Sequence, residues 1–79
     1  MSKYVYTYES VDEREIEIND EQVIEDWEDL GEEEREHYAD FQTFREEAIE
    51  LAIRSQMVKN HGRSARRWRI NSITEVEEG

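Results

Sequence analysis

Residues 20–36, DEQVIEDWEDLGEEERE, set the tightest constraint on how this chain can fold, because ten of the seventeen side chains are carboxylates and only one, Arg35, is basic. Unpaired charge is too costly to bury, so any fold must lay this stretch on its surface. The same stretch carries Val23, Ile24, Trp27 and Leu30 at helical spacing. It therefore reads as a helix with one apolar stripe, and the rest of the chain as the scaffold that presents it.

Charge dominates elsewhere too. A net charge of −12 on 79 residues with 35% apolar side chains approaches the composition of disorder, but the patterning described below argues for a fold. Residues 9–50 hold 19 acids and 3 arginines, a net of −16, whereas residues 51–74 hold 6 basic residues and no acid, a net of +6. The chain reads as one domain over residues 1–79 with a small core, since a chain this short buries only about 60–65% of its unfolded surface. It has no cysteine, hence no disulfide framework or thiolate metal site. No segment has the length and apolarity of a membrane span, and the start MSKYVYTYE lacks the apolar region of a signal peptide. The expectation is a soluble, cytoplasmic protein.

Residues 3–9 and 14–18 alternate as strands, with Ser10, Val11, Asp12 and Glu13 between them as a type I hairpin turn. Pairing Glu9 with Arg14 places Val5 and Thr7 on a face with Ile18 and Ile16 and leaves Tyr4, Tyr6 and Tyr8 beside glutamates. A one-residue slip buries the tyrosines instead. The absence of a glycine for a three-residue loop favours the first register.

Asn19 suits an N-cap, Ile18 and Val23 form a hydrophobic staple, and a helix is predicted from Asp20 to Leu30, ended by a left-handed Gly31. A short helix is predicted over 32–41, with Tyr38 and Phe41 inward. Thr43 and Glu46 form a capping box for a third helix over 44–59. Phe44, Ala48, Leu51, Ala52, Ser55 and Val58 make one face of it, and Ile49, Ile53 and Met57 another, so it is expected to be covered on two sides. A last strand is predicted over 66–76 with a bulge near Asn71 and Ser72, Trp68 in the core, and Arg67 and Arg69 paired with Glu15 and Glu17 on a neighbouring strand. The order ββααβ gives an α+β domain: a small antiparallel sheet, made of the hairpin plus the C-terminal strand, with helices packed on one face.

The two long helices treat charge differently. The third is conventionally patterned, with Glu46 and Glu47 early, Arg54 and Lys59 late, and a Glu50–Arg54 pair. The first places Glu28 and Asp29 at its negative end and stacks Glu21–Glu25 and Glu25–Asp29 as like-charge pairs, each costing about 0.2–0.5 kcal/mol. Glu21, Glu25, Glu28, Asp29, Glu32, Glu33, Glu34 and Glu36 are therefore the candidate partner-binding residues. A second reading of the same charge is a solubilising or salt-adapted surface. Glu33 and His37 lack a third ligand for a metal. An EF-hand loop from Asp26 fails because Leu30 and His37 fall where oxygen ligands are required. No nucleophile is coupled to His37 or His61. No cofactor, metal or enzymatic activity is expected.

By size, charge and element order the chain resembles the small acidic phage-encoded DNA-mimic inhibitors, the anti-CRISPR and anti-restriction proteins. That resemblance implies a basic nucleic-acid-binding protein or nuclease complex, such as a Cas effector, as partner, with no direct nucleic-acid contact and no membrane. The segments EEAIELA and NSITEVEE also resemble the helix and last strand of small phage proteins, some of which inhibit RNA polymerase. The corresponding alternative is an adaptor that binds a protein through the Tyr4, Tyr6 and Tyr8 face.

Overall fold

The computed structural model describes residues 1–9 and 12–76. It is an α+β fold in the order β1 (Ser2–Tyr8), β2 (Asp12–Ile18), α1 (Asp20–Asp29), α2 (Glu32–Arg35), α3 (Phe41–His61), a 3₁₀ helix (Arg63–Arg67) and β3 (Ile70–Val76). The three strands form an antiparallel sheet in the order β2-β1-β3, with α3 across one face.

The hairpin register is shifted by three residues from the expected one, and this odd shift, like the one-residue slip, turns the tyrosines toward the helices. Tyr4 lies opposite Ile16, Tyr6 opposite Arg14 and Tyr8 opposite Asp12, which buries all three tyrosines at 5%, 1% and 1% exposure. This corrects the expectation that Val5 and Thr7 would face the core. Three large rings bury far more apolar area than a valine and a threonine, so the helices settle on the tyrosine side. The missing glycine is no obstacle, because Glu9 itself adopts the left-handed conformation, at φ 47°. Its N–H donates to the Arg69 carbonyl at 2.9 Å, its carbonyl accepts from the Asn71 side chain at 3.1 Å, and its carboxylate accepts from the Arg69 N–H at 2.9 Å. Of the expected turn, Asp12 and Glu13 already belong to β2, and Ser10 and Val11 lie outside the described residues.

Each tyrosine hydroxyl then needs a partner, and α3 supplies all three in the order they occur along β1. Arg45 donates to Tyr4, Gln56 accepts from Tyr6, and His61 Nε2 lies 2.9 Å from the Tyr8 hydroxyl. Between these polar contacts Ile49, Ile53 and Met57 complete the core at 4%, 0% and 0% exposure. Trp68 stacks on Tyr8 at 5.8 Å and is half-buried.

Helix α3 begins earlier than its capping box suggests. Asp40, not Thr43, is the N-cap, and its Oδ1 accepts from the Thr43 N–H at 2.9 Å and the Thr43 hydroxyl at 3.0 Å. Those bonds hold the Asp40 carboxyl below its ordinary pKa. Glu46 and Glu47 consequently fall outside the first turn, though Glu50 and Arg54 do pair at 3.4 Å. The expectation of cover on two sides is also corrected: Leu51 is 58% exposed and Ser55 is exposed. Likewise α2 stops at Arg35, and Gly31 is its extended N-cap at φ −70° rather than a left-handed terminator.

The last strand starts at Ile70, with the arginine-rich segment before it coiled into the 3₁₀ helix. The expected bulge is present: Tyr8 pairs with Ile70 and Thr7 with Ser72, leaving Asn71 as the extra residue. Because β3 pairs with β1, it lies on the far side of the sheet from β2. The expected pairing of Arg67 and Arg69 with Glu15 and Glu17 is therefore absent.

Candidate acidic interaction surface

Local chemistry fixes where the acidic stretch starts. The Asn19 side chain accepts from the Gln22 N–H at 3.2 Å, capping α1 at the residue the sequence indicates. Asp20 then fastens this end of the helix to the sheet and to α3: it accepts from the Ser2 hydroxyl at 2.8 Å and pairs with Arg45 at 3.6 Å. Asp26 accepts from the Gln22 amide at 2.9 Å. Two of the carboxylates in residues 20–36 thus serve the fold.

The others do not. Glu21, Glu25, Glu28, Asp29, Glu32, Glu33, Glu34 and Glu36 are all exposed, and among the described residues none of their side chains forms an ion pair or a hydrogen bond. Along α1, Glu21, Glu25 and Asp29 advance by about 6 Å per four residues. These are the residues proposed from sequence, and the fold brings them to the surface of two consecutive helices and, for Glu36, of the cap that follows α2.

The stretch has one cation, and it is used on the backbone. Arg35 Nε donates to the Trp27 carbonyl at 3.2 Å and Nη2 to the Glu28 carbonyl at 2.8 Å, while the guanidinium carbon lies 5.5 Å from the centre of the Trp27 ring. This caps the negative end of α1 from outside the helix, which is how α1 tolerates Glu28 and Asp29 there without a basic residue in its last turn. Sequence reasoning passed over Arg35. The available signal was its isolation, as a lone arginine six residues beyond the helix end in an otherwise acidic run. Arg35→Met is expected to lower stability by about 1–2 kcal/mol by stripping the Glu28 carbonyl of its partner and leaving the Trp27 carbonyl only the Leu30 N–H, at 3.3 Å. Thermal unfolding followed by circular dichroism tests this, and an unchanged midpoint would rule the cap out.

The apolar stripe of α1 is only partly buried. Val23 is in the core, Trp27 and Leu30 are half-buried, and Ile24 is 44% exposed. Trp27 sits among Tyr38, Phe41 and Phe44, with ring centres 6.2, 5.9 and 5.3 Å away. Ile24, one turn from both Glu21 and Glu28, is an apolar point at the border of the acidic face that the sequence reading assigned wholly to packing.

Charge elsewhere is laid out differently from expectation. Glu13, Glu15 and Glu17 are exposed on the outer face of the sheet, across from Thr7, Val5 and Lys3. Acidic surface therefore extends beyond the helices. On the basic side, Arg54 is turned inward to the carbonyls of Arg66 and Trp68 at 3.0 and 3.2 Å, whereas Arg63, Arg66 and Arg67 are exposed.

Among the described residues there is no cluster of three potential metal ligands, and no helix is long and apolar enough to cross a membrane. No protein-family model, curated protein or solved structure matches the chain.

Proposed function

We propose that this protein is a stoichiometric inhibitor that occupies the nucleic-acid groove of a host defence nuclease complex, in the manner of anti-CRISPR proteins, by presenting carboxylates where phosphates would lie. The observation that carries this reading is the state of the eight carboxylates on α1 and α2. They are exposed and unpaired, and the one arginine within residues 20–36 is committed to the backbone. Two pairs along α1 are held at a spacing that costs helix stability, so local folding does not account for them.

The adaptor reading required Tyr4, Tyr6 and Tyr8 at the surface. They are in the core with their hydroxyls engaged by α3, so that reading loses its contact face.

Attraction between a −12 protein and a basic groove is long-ranged and therefore screened. The rate at which the protein displaces labelled duplex DNA from a guide-loaded nuclease complex is expected to fall at least about tenfold as salt rises from about 0.05 to 0.5 M. A displacement rate insensitive to salt would sink the charge-mimicry account.

A further inference from the structure

The two edges of the sheet are unlike. Edge strand β2 carries Asp12, Glu13, Glu15 and Glu17 against one cation, Arg14, and the three glutamates form a like-charge row on its outer face that discourages another strand from pairing. Edge strand β3 has a single charged side chain, Glu75, among β-branched and small polar residues. The bulge at Asn71 disturbs its beginning and leaves residues 72–76 regular. Ile73 is 40% exposed on the helix side, where it lines an open groove with Tyr4, Arg45 and Ile49 between β3 and α3.

We propose that β3 is a self-pairing edge: two copies of this chain join β3 to β3, antiparallel about a two-fold axis at Ile73, forming one six-stranded sheet. The register is self-matching. Ile73 meets Ile73 of the second copy and covers the exposed apolar side chain, while Ser72 lies opposite Thr74 on the outer face. The bulge at Asn71 ends the regular ladder there, and antiparallel pairing brings the Arg69 end of each copy toward the end of the other that carries Glu75, whose carboxylate lies 3.7 Å from Arg45 of its own chain. Antiparallel pairing thus sets the basic approach to each β3 beside the acidic end of the other, whereas parallel pairing would set like charge beside like. The acid-lined β2 edge offers no such match.

The dependence on salt has the opposite sign to that of the acidic face. Each copy carries −12, so added salt screens their mutual repulsion and tightens the dimer. Sedimentation equilibrium of the full chain is expected to give twice the 9.6 kDa chain mass, with the dimer fraction rising as salt is added. Ile73→Lys sets two ammonium groups together on the axis and is expected to weaken the dimer at least tenfold, even though it lowers the net charge. Glu15→Lys on the other edge is expected not to weaken it. For the unaltered protein, hydrogen exchange of the 72–76 amides is expected to slow as protein concentration rises, a readout that does not depend on how well a variant folds. A monomer at every concentration and salt, or a dimer whose 72–76 amides exchange independently of concentration, would overturn the proposal.

Discussion

Converting Glu21, Glu25, Glu28 and Asp29 to their amides is expected to slow association with a basic groove by about ten- to a hundredfold at low salt while leaving the fold no less stable. The two effects come from the same charges. Glu21–Glu25 and Glu25–Asp29 are like-charge pairs at four-residue spacing on an exposed helix face, and relieving both returns about 0.4–1 kcal/mol. Arg35 is unaffected, because it bonds to carbonyls and not to these carboxylates. A variant that binds worse and melts higher separates a functional surface from a structural one. The informative control is Glu13, Glu15 and Glu17→Gln, which removes comparable charge from the outer face of the sheet. If the two variants slow association equally, the acid acts only through net charge and the assignment to α1 and α2 fails. If the helix variant alone is slow and the difference closes at high salt, the contact is local.

Features set by neighbouring residues were legible in the sequence. Asn19 caps α1 because a side chain three residues from its target needs nothing else, and the bulge at Asn71 follows from the change of parity between Ile70 and Ile73. The eight exposed carboxylates were legible for a related reason: nothing in so acidic a segment can be buried. Features set at long range were not. The hairpin register turns on Glu9, whose left-handed backbone is held by Arg69 and Asn71, some sixty residues away. Both alternations in the hairpin look alike until α3 is placed, and only then does burial of three rings decide between them. Arg67 and Arg69 seemed obvious partners for Glu15 and Glu17, yet strand order assigns β3 to the far side of β1. The start of α3 shows a subtler limit. Asp40 and Thr43 are both good caps, and Asp40 prevails because Thr43 can donate to it twice.

Tyr6→Ala is expected to remove a large part of the protein's stability, read as a strongly lowered melting midpoint, whereas Tyr6→Phe costs only about 1 kcal/mol. A domain of this length has about 4–12 kcal/mol to lose. Removing a ring that is 1% exposed and packed against Tyr8 at 5.8 Å costs about 3–5 kcal/mol, since a core this thin cannot close the cavity. Loss of the hydroxyl alone leaves only the half-exposed Gln56 amide to find water. The same burial gives a second, reagent-free test. Tyr6 and Tyr4 both have raised pKa values, chiefly because burial penalises the phenolate, with Arg45 partly opposing this at Tyr4 and Arg14 at Tyr6. A folded pKa above the unfolded value of about 10 means stability that is fully present below that pH and is lost as pH climbs through the folded value. Phenolate absorbance and circular dichroism, followed together in an alkaline titration, are expected to show these tyrosines ionising only as the fold is lost. Ionisation of Tyr4 and Tyr6 near pH 10 with the sheet intact would show that the tyrosine face is open to water, and would return it to contention as a contact surface.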